Sequence, residues 1–401
     1  MKRLVFAIIL IVAWVAAGAG DCYTVIVSLD GLRWDYPEAF NTPFLDSMAR
    51  DGVKAVMSPS FPSSTFPNHY TLATGLTPDH HGIIANSFKV RAEGKIYSMS
   101  DRKTSRNAKY YGGEPIWLTA QRQGVKIGTI FWVGSDVAIQ GQHPTYWKNY
   151  GKDRLTYEQR VDEVLRLLSL PEADRPRLVM CYFEQPDGSG HHNGPISRAT
   201  RRTVEDLDTL LASMWQRIQR LDIATRVNLI VTGDHGMTWT ENCRTVRPSK
   251  VLPNTEWIDC IVGNVPANIY VKSKQEGEFV DSVMRALEGV DHIRAWRKAD
   301  IPAYLGYGSN PNVGDVLVLP DVGWSFTDHV YTHAGGNHGY DHTTPDMQIA
   351  FRAVGPDFKR GYTKADRFPN VDIYPLLCYL LGVKPAPNDG HLTDLHDILA
   401  H

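Results

Sequence analysis

The run Tyr23-Thr24-Val25-Ile26-Val27-Ser28-Leu29, closed by Asp30-Gly31, decides the fold. It is nearly continuous in apolar residues, and such a run suits a strand buried on both faces, as in a parallel sheet. Leu178 to Phe183 and Val227 to Val231 repeat the pattern, and each again leads into an aspartate, Asp187 and Asp234. Helical stretches fall between them. Thr42 to Arg50, Glu114 to Gln123, Tyr157 to Leu170 and Ile196 to Leu221 all read as helices, the third with Val161, Val164, Leu165 and Leu168 on one face. Val53 to Ser58 and Lys126 to Val133 add further strands. Alternating strand and helix over this length predicts an α/β fold with a mostly parallel central sheet flanked by helices.

Two stretches depart from that rhythm. Gln140 to Gly151, rich in polar and aromatic residues, reads as a loop over a sheet edge, where binding residues often lie. Between 237 and 337 the elements shorten: strands near Asn268 to Val271, Ile293 to Trp296 and Asp315 to Leu319, and a helix near Glu276 to Leu287. The expected organisation is a large α/β domain of residues 20–236 and 338–401, interrupted by a small inserted α+β cap at 237–337.

With 401 residues, of which 43% are hydrophobic, the chain can bury a large core and carry such an insert. A net charge of −2 excludes a broad basic field and gives no specific nucleic-acid surface, so an anionic small-molecule substrate has to be attracted locally. Lys2 and Arg3 precede the apolar run Leu4 to Val15 and then Ala16-Ala17-Gly18-Ala19-Gly20, the layout of a signal peptide over residues 1–19. That run is shorter than the roughly 20 residues of a membrane span. The chain is therefore expected to be exported, to the periplasm or outside the cell, with no stable span after cleavage. Export permits disulfides, and Cys243 and Cys260 are the cysteines closest in sequence; whether they bridge stays open, as does the oligomeric state.

Ligands of open α/β sheets gather at the carboxyl ends of the strands. A single aspartate there is usually a turn residue or a helix cap. Three of them, accompanied by His191, His235 and the His338 of Gly336-Asn337-His338-Gly339, point to a metal centre instead. Carboxylate and imidazole ligation without cysteine suits catalytic zinc. His69, His80, His81, His333 and His342 read as structural. Ser63-Ser64-Thr65-Phe66-Pro67-Asn68-His69-Tyr70 reads as the start of a helix, where unpaired N–H groups favour an anion. Thr65 is then either a cap or a nucleophile facing a phosphate.

Taken together, Leu29-Asp30-Gly31, Thr65-Phe66-Pro67-Asn68-His69-Tyr70, Gly82-Ile83-Ile84-Ala85-Asn86, Pro186-Asp187-Gly188-Ser189-Gly190-His191, Gly233-Asp234-His235-Gly236-Met237 and Gly336-Asn337-His338-Gly339-Tyr340-Asp341 resemble the nucleotide pyrophosphatase/phosphodiesterase family of the alkaline phosphatase superfamily. The resemblance runs in matching order from Tyr23 to near the C-terminus. It implies an alkaline phosphatase-like fold and two Zn²⁺ ions. One would be held by Asp187, His191 and His338, the other by Asp30, Asp234 and His235 with the hydroxyl of Thr65. It further implies zinc-dependent hydrolysis of phosphodiester or pyrophosphate bonds in nucleotides or dinucleotides, through a phosphothreonine at Thr65. Asn86 would donate to a phosphate oxygen, and Phe66 and Tyr146 would stack the base.

Ser64 and Ser87 stand where several family members carry lysine, which weakens attraction for extra phosphates and argues against specialisation on triphosphates. Phospholipid or choline phosphodiesterase and phosphomonoesterase activities are alternatives on the same core. A catalytically silent zinc- or nucleotide-binding protein is the alternative from another class.

Overall fold

The computed structural model describes residues 22–252, 255–272, 276–330 and 334–400. The expected signal peptide and His333 lie outside them.

The central sheet is built from β1 (Tyr23–Leu29), β2 (Val53–Ser58), β3 (Ile127–Ile130), β4 (Tyr146–Lys148), β5 (Leu178–Phe183), β6 (Val227–Thr232) and β7 (Ile349–Val354). Their spatial order is β2-β7-β6-β1-β5-β3-β4, with two short strands, Tyr362–Thr363 and Phe368–Pro369, beyond β2. β1 pairs in parallel with both β5 and β6, and β3 pairs in parallel with β5 and β4, whereas β7 runs against both of its neighbours. The expected mostly parallel sheet is what forms.

The apolar runs are explained by a layer of helices on each face. Val25, Val27 and Leu29 of β1 face one cluster while Ile26 faces the other; β5 divides likewise, with Val179, Cys181 and Phe183 on the first side and Leu178 and Met180 on the second. The period of two along a strand produces this division. On the first side lie α1 (Pro43–Asp51), α4 (Tyr157–Leu168) and α6 (Arg198–Ile218). On the second lie α2 (Thr65–Thr74), α3 (Ile116–Arg122) and α7 (Ile373–Leu381). α4 starts at a capping box, in which the Thr156 hydroxyl accepts from the Gln159 N–H and the Gln159 side chain reaches back. Truncating one fully buried residue, such as Leu229→Ala, is expected to cost about 2–5 kcal/mol.

Within 237–337, the strands Ile258–Val262, Ala267–Val271, Val316–Pro320 and Ile293–Arg297 form a separate antiparallel sheet in that order, covered by the helix Glu276–Leu287. Its strand Val316–Pro320 is buried on both faces. Val316 and Val318 enter the cluster under this small sheet, and Leu317 and Leu319 enter the main core. Among the described residues no helix is long and apolar enough to cross a membrane.

One expectation changes, one strand is new, and the open question of Cys243 and Cys260 is answered. The stretch 140–151 is not simply a loop: Tyr146–Lys148 pairs in parallel with β3 as an edge strand. Its three residues are at most half-buried, so it carries no apolar run to betray it. Ile258–Val262, also unforeseen, is half-exposed for the same reason. Cys243 and Cys260 are both free thiols.

Candidate functional site

The carboxyl ends of β6, β1 and β5 lie side by side, since Ser28 is in register with Thr232 on one side and Tyr182 on the other. Asp30 follows β1 directly, Asp234 follows β6 after Gly233, and Asp187 opens α5 (Asp187–Asn193) after β5. One glycine brings them close. Gly31 has φ +72°, and a Cβ on it would meet the Asp187 Cα at 3.1 Å. Its N–H donates to Asp234 Oδ1 at 3.0 Å, so the turn after β1 holds one carboxylate and admits another.

His191 sits one turn after Asp187 on α5, with Nε2 3.3 Å from Asp187 Oδ1. His338 approaches the same oxygen at 3.6 Å, and His235 Nε2 lies 3.4 Å from Asp30 Oδ1 and 3.2 Å from Asp234 Oδ2. The donor atoms of Asp187, His191 and His338 all fall within 4.8 Å of one another, as do those of Asp30, Asp187 and His235. Two groups form and Asp187 reaches both; in the second it stands beside Asp30 and His235, where Asp234 was expected.

Hydrogen bonding fixes what these groups offer. Nδ1 of His191 faces the Gly336 carbonyl at 2.9 Å, Nδ1 of His235 the Gly236 carbonyl at 2.8 Å, and Nδ1 of His338 the Ser63 carbonyl at 2.9 Å. A carbonyl only accepts, so each Nδ1 carries the proton and each Nε2 turns a lone pair toward the carboxylates. Asp30 Oδ2 accepts from the Tyr182 hydroxyl at 2.6 Å, which leaves Oδ1 to the centre. Asp30 Oδ1, Asp187 Oδ1 and Asp234 Oδ2 are buried with no hydrogen-bond partner. Acceptors crowd together without a donor, an arrangement that costs heavily unless a cation fills it.

The titration behaviour agrees. Burial, then the charges of Asp234 and Asp187, push the Asp30 carboxyl well above the usual carboxylate range, and burial followed by Asp187 does the same to Asp234. Burial pulls His338 down to about 4 and His235 well below its ordinary value. A divalent cation reverses each of these penalties. The nitrogen and oxygen donor set, with an outer hydrogen bond on every imidazole, fits such an ion.

Thr65 stands over this centre. The helix cap is Ser64, with extended backbone, and Thr65 is the first residue of α2. Its hydroxyl is spared capping and donates to His235 Nε2 at 3.2 Å. Asn86 accepts the Phe66 N–H on Oδ1 at 2.9 Å, which leaves its amide nitrogen as the free donor beside the same helix end. His69, expected to be structural, is buried one turn along α2 and backs the centre: Nδ1 donates to the Thr65 carbonyl at 3.0 Å and lies 3.3 Å from Asp234 Oδ2 without a hydrogen bond to it, while Nε2 accepts from Ser28.

A cleft of about 440 Å³ opens next to Thr65, Asp30 and Asp187 and is lined by Phe66, Phe131, Tyr150 and Tyr182. Tyr146 is not among its walls. The Tyr146 hydroxyl donates to the Asp174 carbonyl, ahead of β5, so the side chain points to the amino end of the sheet. Tyr150, beyond the carboxyl end of β4, does line the cleft and packs edge-on against Phe131 at 5.4 Å. Phe131, just past β3, has φ +61°, an unfavourable backbone for a bulky residue that aims its ring into the cleft. The missed residues Phe131, Tyr150 and Tyr182 share one signal: each is an aromatic at or just past the carboxyl end of a strand.

Comparison with known proteins agrees with this geometry. The family model for type I phosphodiesterase / nucleotide pyrophosphatase matches residues 24–341. Bovine ectonucleotide pyrophosphatase/phosphodiesterase family member 3 is 33% identical over 387 residues, covering 94% of this chain and 44% of the bovine protein. A venom phosphodiesterase of Crotalus durissus collilineatus is 34% identical over 395 residues, 96% of this chain and 47% of its own. The chain thus spans about half the length of the curated relatives it matches. Among solved structures, murine ectonucleotide pyrophosphatase/phosphodiesterase 5 superposes with a TM-score of 0.88 at 32% identity, over 94% of this chain and 100% of that one. An inactive form of the murine protein in complex with AMP matches equally well. Fold, centre and relatives converge, and the chain belongs to the type I phosphodiesterase / nucleotide pyrophosphatase family.

Proposed function

We infer that the protein hydrolyses phosphodiester or pyrophosphate bonds of nucleotides through a covalent phosphothreonine at Thr65. The observation carrying this reading is the convergence of three unprotonated Nε2 atoms and three unpartnered carboxylate oxygens beneath a hydroxyl at a helix start. Asp187, His191 and His338 would hold one Zn²⁺, and Asp30, Asp234 and His235 with Thr65 a second, Asp187 lying within reach of both. Two bound zinc ions supply positive charge that acidifies the threonine hydroxyl and neutralises phosphoryl oxygens.

Thr65 Oγ1 forms the new bond to phosphorus, and the bond to the opposite oxygen breaks, releasing an alcohol or a nucleotide. Water then cleaves the phosphothreonine and restores the hydroxyl. Asn86, its Oδ1 anchored on the Phe66 N–H, donates from Nδ2 to a non-bridging oxygen, and the start of α2 favours the same negative charge. Phe66 and Tyr150, rather than Phe66 and Tyr146, form the slot for the base, backed by Phe131. A structural relative holding AMP supports a nucleotide in this cleft. Stacking accepts any base, so selectivity among bases is expected to be weak.

Export guided by residues 1–19 and an insert bounded by 237 and 337 belong to the same proposal. A kinetic panel over dinucleotides, nucleoside triphosphates, aryl diesters, aryl monoesters and choline phosphodiesters tests it. Preference for the monoester or the choline ester overturns the nucleotide reading, and zinc binding without turnover of any ester overturns the enzymatic one.

A further inference from the structure

At the amino end of the sheet, opposite the catalytic centre, a second concavity of about 220 Å³ is lined by Tyr23, Lys126, Glu172, Arg175, Arg177 and Arg226. Its construction mirrors the first. Lys126, Arg177 and Arg226 each stand immediately before a strand, β3, β5 and β6, and Tyr23 is the first residue of β1, which lies between β6 and β5. Parallel pairing therefore sets three cations along one edge. Arg175 joins from the loop ahead of β5.

Among the described residues the arginines have no paired counter-charge. Lys126 is paired with Asp174, but among the described residues Arg175, Arg177 and Arg226 make no ion pair with a carboxylate. Arg175 reaches only the Tyr23 hydroxyl at 3.1 Å, and Arg177 Nε donates to the Cys22 carbonyl at 2.8 Å. Arg177 Nη2 and Arg175 Nε are buried with no hydrogen-bond partner. The guanidinium carbons of Arg175 and Arg226 lie 5.1 and 5.4 Å from the centroid of the Tyr23 ring. A π-face steadies such cations without neutralising them. Glu172 lines the same concavity and makes no ion pair with them.

We propose that this concavity is a binding site for a phosphate-class oxyanion, held by Arg175, Arg177 and Arg226 around Tyr23. Several guanidinium forks with free donors match the oxygens of a tetrahedral dianion, and the volume suits a small free anion. This rests on the amino end of the sheet alone and is independent of the hydrolytic reading.

Calorimetric titration of the zinc-loaded, full chain with inorganic phosphate, at ionic strength fixed with chloride, tests it. Two binding events are expected, because the catalytic centre also takes phosphate. Arg226→Gln should weaken one of them about tenfold or more and leave the other, whereas Asp187→Asn should do the opposite. In parallel, phosphate should slow phenylglyoxal modification of Arg226, read by peptide mass spectrometry, about tenfold relative to chloride. Glu172→Gln should tighten the Arg226-dependent event by removing a competing charge.

A single event abolished by Asp187→Asn, or a second event indifferent to Arg226→Gln, overturns the proposal. So does an event that appears only in Asp21→Asn, since Asp21 precedes the described chain and its carboxylate would then be the occupant. Arg226-dependent binding to vesicles containing phosphatidic acid that free phosphate does not compete away would assign the site to a lipid headgroup and overturn the free anion.

Discussion

The two ends of the central sheet carry opposite unpaired charge. At the carboxyl end Asp30, Asp187 and Asp234 each leave an oxygen without a donor, and at the amino end Arg175 and Arg177 each leave a nitrogen without an acceptor. What differs is the supporting structure. Five of the six members of the carboxylate centre are oriented by a further hydrogen bond, with the Gly31 N–H, the Tyr182 hydroxyl or the carbonyls of Gly236, Gly336 and Ser63, whereas Arg175 and Arg226 lean chiefly on one aromatic ring. Fixed donors and acceptors stabilise a transition state because they need no rearrangement when charge develops. The amino end has the charge to bind, but its described lining holds no serine, threonine or cysteine. Unpaired charge marks a ligand; oriented charge beside a hydroxyl marks chemistry.

Breaking the contrast at its strongest point means removing the nucleophile. Thr65→Ala should lower kcat by about 10⁴-fold or more while the zinc content stays at wild-type level, since the carboxylates and imidazoles remain. Near-normal turnover in that variant would end the covalent reading. Asn86→Ala probes oriented charge without touching metal and should cost about 10²–10³-fold in kcat. A change confined to KM would show instead that Asn86 only binds substrate.

Asp234→Asn tests whether unpaired acceptors mean metal. It should reduce zinc per chain after purification and dialysis, and an unchanged zinc content would remove Asp234 from the ligand set. Tyr182→Phe, which deletes the hydrogen bond orienting Asp30, should weaken zinc affinity by about 10–100-fold, measured with a competing chelator. The smallest effects concern the cleft. Tyr150→Ala should raise KM for a dinucleotide by the roughly 1–3 kcal/mol of a lost stack, with little effect on an aryl diester. Tyr146→Ala should leave both KM values alone, and the reverse pattern would restore Tyr146 to the slot.

Much of this was readable before any coordinates because buried parallel strands announce themselves. β1, β5 and β6 are apolar on both faces, so their ends, and the aspartates following them, can be found by eye. β4 could not be, since its three residues, two half-buried and one exposed, carry no apolar pattern. That gap hid which tyrosine lines the cleft: Tyr146 and Tyr150 differ by four positions, and only the parallel register with β3 reveals that one lies within the strand and the other beyond its carboxyl end. Tyr182 and His69 stayed hidden for another reason. Each sits in a stretch already accounted for by packing, and their polar atoms act on groups distant in sequence. Local patterns show which residues are buried, while long-range hydrogen bonds decide which buried residues serve the centre.

The strand Val316–Pro320 bears on how such proteins can be recombined. Its odd and even residues answer to two different cores, Val316 and Val318 to the small sheet and Leu317 and Leu319 to the large one. A chimera that imports residues 237–337 from a relative thus imports half of a core interface selected in another host. Grafts that keep Leu317 and Leu319 in place, and exchange only the loops around them, are the ones with a route to a folded hybrid.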